Sequence, residues 1–296
     1  MAREAYRMIA IDLDGTLLSP TGQVSHRAKL AVHRALEAGL LVCFATGRNF
    51  TESRSIIEDV GHYASAVFVG GAMVIDTRHR VTLHRMLMEP ALAAEVCEEL
   101  ESAGHAALAL QDTAAAGVDY LMTADVEPNE ATSQWMKVTA AKFRRVKSLA
   151  TYKHEHTIRC GIVAGLDDIA VMKKRLATRF GERIFHHSVF VPAYNVEVLE
   201  VFDPSVNKWE GILHVARNHG IAPEQIIAIG DDVNDLHMIR NAGLGVAMGN
   251  ARPEVLAIAK RVIGSNAEDG LAAFLEELVE TRAVEPLNDR EQQDSP

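Results

Sequence analysis

Short apolar runs, each closed by a polar or glycine-rich turn, recur along this chain and narrow its architecture more than its composition does. Met8 to Leu13, Leu41 to Ala45, Ala66 to Val69 and Ile226 to Ile229 are the clearest. A strand with one solvated face alternates apolar and polar residues; these runs stay apolar at successive positions and so bury both faces. Helical stretches separate them. Ser25 is placed to cap one running to about Ala38, with Gly39 as its stop, and another spans roughly Thr51 to Val60 and ends at Gly61. The same alternation returns late in the chain, with a helix from Lys208 to His219 and a closing helix from about Gly270 to Leu278. Strand and helix in turn predict an α/β fold, a doubly wound parallel sheet with helices on both faces.

Residues 87–189 have a different texture. Pro90 opens a helix to about Ala103, short strands fit Ala106 to Leu110 and Tyr120 to Met122, and a polar stretch from Asp125 to Ser148 has no clear period. Ile158 to Val163 reads as a strand and Asp167 to Phe180 as an amphipathic helix. This stretch carries enough apolar residues for its own core, so it is expected to be an inserted domain. The expected division is a discontinuous core of residues 1–86 and 190–280, an insertion of residues 87–189, and a frayed polar tail of residues 281–296. Val196 to Val201 is assigned to the core. The crossings near Arg85 to Pro90 and His187 to Ala193 are read as hinges.

The 296 residues carry a net charge of −10, which argues against a nucleic-acid surface. No run approaches a membrane span, and the first residues lack the pattern of an export signal. Cys43, Cys97 and Cys160 are far apart in sequence and sit in apolar stretches, as reduced core fillers do. The expectation is a cytoplasmic protein whose partner is a small molecule, not nucleic acid or membrane.

Several runs end in chemistry. Asp12 and Asp14 follow the first, with Gly15 and Thr16 attached; Thr46, Gly47 and Arg48 follow the second; Asp231, Asp232, Asn234 and Asp235 follow Ile226 to Ile229 and Gly230. In an open parallel sheet the strand-to-helix loops share one edge, where ligands bind. If the strand continued, Asp12 and Asp14 would share a face, a crowding that a hard divalent cation relieves. One carboxylate can then attack while its neighbour carries a proton. A solvated turn is the alternative for a lone Asp-x-Asp.

Asp12-x-Asp14-Gly15-Thr16 resembles the first motif of the haloacid dehalogenase superfamily of phosphatases, Thr46-Gly47-Arg48 its second, Lys208 its third, and Gly230-Asp231-Asp232-x-Asn234-Asp235 its fourth. The large insertion between the second and third motifs resembles the Cof-type subfamily, as do Gly245-Val246-Ala247-Met248-Gly249-Asn250-Ala251 and Asn266-Ala267-Glu268-Asp269-Gly270. The resemblance covers about Ile9 to Leu278. Two positions depart from it: Gly70-Gly71-Ala72 where Asn-Gly-Ala is common, and Trp209 where glycine is usual.

The resemblance implies a Rossmann-like core with an inserted α/β cap, and Mg²⁺-dependent hydrolysis of a phosphate monoester through an aspartyl-phosphate. In it Asp12 is the nucleophile and Asp14 the acid and base. Asp12, Asp231 and the Asp14 backbone carbonyl hold Mg²⁺. Thr46, Gly47, Lys208 and Asn234 bind the phosphoryl group; Asp232 caps, and Asp235 binds a metal water or orients Lys208. Arg48 reaches substrate or pairs with an acid. The substrate class is a sugar phosphate, nucleotide or phosphorylated cofactor. Alternatives stay open: a phospho-accepting signalling domain, a phosphotransferase or mutase on the same core, or an inactive binding protein. Three other features are weaker. His154-Glu155-His156 lacks a third zinc ligand at suitable spacing, His186-His187 reads as a hinge feature, and Gly243-x-Gly245 has the wrong context for a dinucleotide fingerprint.

Overall fold

A computed structural model describes residues 6–191 and 195–281, and its chain divides into two compact units, residues 1–84 with 207–296 and residues 85–206. The expected tail beyond Thr281 and the Ala193 end of the second expected hinge lie outside the described residues.

In the first unit five parallel strands run in the order Arg261–Val262, Leu244–Ala247, Ile226–Gly230, Met8–Ile11, Leu41–Phe44. Met8–Ile11 is an interior strand, pairing Ile9 with Ile227 on one side and with Val42 on the other. All four of its residues are fully buried, as an unbroken apolar run requires. Ile9 and Ile11 each contribute about 1.5–3 kcal/mol through that burial. A single parallel bridge, Ala45 to Val67, leads on to an antiparallel ribbon in the order Ser65–Phe68, Met73–Asp76, Val81–Arg85. The helices begin where the side chains dictate. Ser25 accepts the Ala28 N–H at the start of His26–Glu37, Asn49 accepts that of Glu52 before Phe50–Val60, and Asn207 accepts that of Glu210 before Lys208–Asn218. Trp209 is 6 % exposed and packs with Met8, Ala10 and Ile212, so the indole at the unusual position fills this unit's core.

Gly71 shows how closely the backbone is packed near the site. Its φ is +109°, and a Cβ there would lie 1.9 Å from the Asn207 carbonyl oxygen, one residue before Lys208. Gly70, at φ +64°, faces open space. Gly71→Ala is therefore expected to cost at least about 2 kcal/mol, a fall in Tm of about 5 °C or more, and Gly70→Ala about half that. Thermal melts of the two variants test this; equal losses would show that backbone angle alone, not the Asn207 contact, sets the cost.

The second unit is a six-stranded sheet in the order Phe185–Val191, Val196–Phe202, Thr157–Ala164, Leu108–Gln111, Tyr120–Thr123, Phe143–Val146. Its pairs are antiparallel except the last, which is parallel. Helices Pro90–Ser102 and Leu166–Phe180 bury Cys97, Leu100, Met172 and Leu176 against Cys160, Ile162 and Leu199.

Three expectations change here, and the cysteines keep theirs as free, buried core residues. Val196–Phe202 belongs to this sheet, not to the core: it pairs with Phe185–Val191 and Thr157–Ala164, and the units part between residues 206 and 207. Its two glutamates mark the difference from the buried parallel runs. Glu200 pairs with Arg159 and with His187 Nε2, the latter at 3.0 Å, and Glu197 accepts from Ser188. The polar stretch from Asp125 to Ser148 holds the helix Glu130–Val138 and the strand Phe143–Val146, where Arg144 and Arg145 interrupt the apolar run of a buried strand. His154 is fully buried with both ring nitrogens bonded, to Thr157 Oγ1 and the Leu149 carbonyl, and His186 and His187 lie within a strand rather than at a hinge. Cys97 and Cys160, far apart in sequence, bring their sulfurs within 3.4 Å; both are free and buried, as is Cys43. No helix among the described residues is long and apolar enough to cross a membrane.

Candidate active site

Within the first unit, the carboxyl ends of Met8–Ile11, Leu41–Phe44 and Ile226–Gly230 are neighbours, and the acids predicted from sequence meet there. The first strand stops at Ile11. Asp12 keeps its backbone N–H on the Ile229 carbonyl, and the chain then swings into a wide turn over Leu13–Leu17, with Gly15 at φ +78°. That turn separates the two aspartates. Asp12 is buried at 4 % exposure and faces Lys208, whereas Asp14 is exposed and faces Arg48. The expected shared face is lost because strand alternation ends one residue too early.

Lys208 is the hinge pin of the charges. Its ammonium is 1 % exposed and donates to Asp12 Oδ1 at 2.5 Å, Asp235 Oδ1 at 2.6 Å and Asn234 Oδ1 at 3.3 Å. Burial alone would strip its proton; the charges of Asp12 and Asp235 outweigh that and hold its pKa above the ordinary value. Asp235 spends its other oxygen on the backbone N–H groups of Asp231 and Asp232, so the loop after Ile226–Gly230 is wrapped around it. Asp232 accepts the Val233 N–H and pairs with Arg252 at 3.3 Å at the protein surface, a capping position.

Asp231 completes the group. Ligand oxygens of Asp12, Asp231 and Asp235 all lie within 4.8 Å of one another. Thr16 donates to Asp231 Oδ1 at 2.9 Å, and a Cβ on Gly15 would fall 2.1 Å from Asp231 Oδ2, so glycine is required there for contact as well as for backbone angle. Three carboxylates thus face a single ammonium. Burial first, then Asp235, pushes the Asp231 carboxyl up to about 7. Burial likewise raises Asp12 well above the usual carboxylate range, against the pull of Lys208. Acids that resist ionisation in this way are relieved by a divalent cation, and Asp12 Oδ2 and Asp231 Oδ2 are not engaged by the donors named above. The donor set, oxygen only and few in number, fits Mg²⁺.

Thr46 is fully buried at the end of the second strand; its hydroxyl accepts the Arg48 N–H at 3.1 Å and keeps its own proton to donate. The following helix starts only at Phe50 and is capped by Asn49, so Thr46 and Gly47 precede the helix terminus rather than form it. Asn234 Nδ2 lies 3.7 Å from where a Cβ on Gly47 would be, which brings that amide beside the Thr46-Gly47 turn. Arg48 pairs with an acid: Nε and Nη2 donate to the two oxygens of Asp14 at 2.8 and 2.6 Å.

Three positioning residues were absent from the predicted site. Besides Thr16, Asn250 donates to the Gly15 carbonyl at 2.8 Å and accepts the Asn266 N–H, while Asn266 donates to the Leu18 carbonyl at 2.8 Å. Together they fasten the middle and the far end of the turn that carries Asp14. The only sequence signal for the two asparagines was their place in the closing segments that resemble the subfamily.

A family model described as haloacid dehalogenase-like hydrolase matches residues 9–275. The 5-amino-6-(5-phospho-D-ribitylamino)uracil phosphatase YitU of Bacillus subtilis (strain 168) is 29 % identical over 91 % of this chain and 96 % of its own. Pyridoxal phosphate phosphatase YbhA of Escherichia coli (strain K12) is 28 % identical over 91 % of this chain and 97 % of its own. Among solved structures, a haloacid dehalogenase-like hydrolase from Bacteroides thetaiotaomicron superposes with a TM-score of 0.76 at 23 % identity, over 92 % of this chain and 99 % of that one.

Proposed function

The chain belongs to the haloacid dehalogenase-like hydrolase family and is a phosphatase of that family, and we propose that it hydrolyses a phosphate monoester of a small metabolite through an aspartyl-phosphate on Asp12. The observation that carries this reading is the buried set of Asp12, Asp231 and Asp235 around the Lys208 ammonium. A phospho-accepting signalling domain shares the residue types, but the relatives are named as phosphatases over nearly their whole lengths.

Asp12, Asp231 and the Asp14 carbonyl would hold Mg²⁺. When bound, it would supply positive charge opposite the phosphoryl oxygens. Lys208 donates to Asp12 Oδ1 and would steady the carboxylate, one oxygen of which attacks phosphorus. As that O–P bond forms, the ester P–O bond breaks, and Asp14 gives a proton to the departing oxygen. Asp14 then takes a proton from the water that displaces Asp12. The Thr46 hydroxyl, the Gly47 N–H, the Asn234 amide and the Lys208 ammonium hold the phosphoryl oxygens. Positioning and charge are most of what phosphoryl transfer asks of a protein. A cytoplasmic location and a substrate such as a sugar phosphate, nucleotide or phosphorylated cofactor complete the proposal.

The test is release of inorganic phosphate from p-nitrophenyl phosphate and from a panel of phosphorylated metabolites, over a range of Mg²⁺ concentrations and pH. Phosphate release should require Mg²⁺. The cation binds the carboxylate form of Asp231, whose pKa is pushed up to about 7 in its absence. Half-saturating Mg²⁺ should therefore rise about tenfold per unit as the pH falls below that value. Activity unaffected by a chelator would overturn the metal assignment, and phosphate appearing on an acceptor sugar instead of in solution would favour a phosphotransferase.

A further inference from the structure

We propose that Arg48 is a latch on Asp14 that an incoming phosphoryl group opens, by drawing the guanidinium from one anion to the other. The inference rests on the phosphatase reading above, in which Asp14 is the acid and base. Arg48 makes the two-pronged contact that a guanidinium fork makes with a carboxylate, engaging both Asp14 oxygens at 2.8 and 2.6 Å. A carboxylate held in this way has one lone pair of each oxygen on the guanidinium, and the cation beside it opposes uptake of a proton. Asp14 is freed for acid–base work when Arg48 lets go.

The surroundings suit a contact that is made to break. Both side chains are well exposed, Arg48 at 40 % and Asp14 at 53 %. Exposed ion pairs are worth little, about 0.2–1 kcal/mol. Asp12 and Lys208 show the opposite arrangement, a buried pair that is costly to separate. The anchoring of Arg48 is also one-sided. Its backbone is pinned by the Thr46 hydroxyl and by the Val69 N–H on its carbonyl, while its side chain is held through Asp14. Arg48 stands next to Gly47 and two residues from Thr46, the groups assigned to the phosphoryl oxygens. A tetrahedral dianion there offers the fork the same two-pronged partner with more charge. The exchange ties release of the acid to the arrival of a phosphate ester.

Calorimetric titration of inorganic phosphate in the presence of Mg²⁺, into wild type, Asp14→Ala, Arg48→Ala and the double variant, decides the matter. If Asp14 competes with phosphate for Arg48, Asp14→Ala should bind phosphate about two- to fivefold more tightly than wild type. Arg48→Ala should bind more weakly, and the gain from removing Asp14 should vanish in its background. An equal gain in both backgrounds would mean that Asp14 merely repels the anion, and no gain in either would mean that it does not hold Arg48; each result overturns the latch. Absence of phosphate binding by all four proteins would instead overturn the phosphoryl site proposed at Thr46, Gly47, Asn234 and Lys208, and the latch with it. Both side chains are surface-exposed, so circular dichroism spectra matching wild type are expected throughout.

Discussion

Asp12→Asn is expected to lower Mg²⁺-dependent phosphate release by about 10⁴-fold or more while leaving the fold in place. The change keeps the size of the side chain and a carbonyl oxygen that can go on accepting from Lys208, 2.5 Å away. What it removes is the lone nucleophilic oxygen. Stability should change little, because burial already disfavours the charged carboxylate at this position. Lys208 keeps Asp235 and Asn234 as partners. A Tm within a few degrees of wild type would show that the loss is chemical. Rapid acid quenching with a ³²P-labelled monoester gives the complementary result: label on wild-type protein, stable in acid and released by hydroxylamine, and none on the variant. Activity within tenfold of wild type, or label persisting on the variant, would remove Asp12 from the role of nucleophile.

How much of this site was open to reading in the sequence depends on how far each feature relies on local chemistry. The acids of the cluster could be located because each ends an apolar run, and parallel strands deliver all such ends to one edge. Asp12, Thr46 and Asp231 are of this kind, and so is the helix-opening Lys208. The shared face expected for Asp12 and Asp14 fails because the strand stops at Ile11 and Leu13, between the two, leaves the extended conformation. Thr16, Asn250 and Asn266 act across 215 to 248 residues of chain, and nothing in their neighbours announces the partner. In the fold, the unbroken runs Met8–Ile11 and Ile226–Gly230 identified the parallel sheet. Val196–Phe202 went to the wrong unit although its glutamates already departed from that pattern. Glu200 is buried only because Arg159 and His187 come from strands that pair with it, a fact of register and not of composition.

Lys208→Met should be the most damaging single change to stability in the core. Methionine matches the length of the aliphatic stem, so the loss is of charge more than volume. Asp12, at 6 % side-chain exposure, and Asp235, at 0 %, would then face each other and Asp231 with no cation between them. Removing one partner from a buried ion pair costs about 3–5 kcal/mol, chiefly from the charge left behind. The pH dependence follows from sign. Asp12 already has its folded pKa raised, and loss of the ammonium raises it further, since Lys208 was what lowered it. Between the unfolded carboxyl value near ~4 and this raised value, the folded protein holds more protons than the unfolded chain, so stability falls as pH rises. Without added Mg²⁺, the deficit against wild type should therefore be large at pH 7.5 and shrink towards pH 5. Adding Asp235→Asn to the variant removes one of the stranded charges and should restore part of the loss at pH 7.5. Urea titrations of the three proteins at both pH values measure these differences. A deficit independent of pH, and untouched by Asp235→Asn, would mean that Lys208 supports the fold through its stem alone, leaving the three acids to be stabilised by some other feature of the loop after Ile226–Gly230.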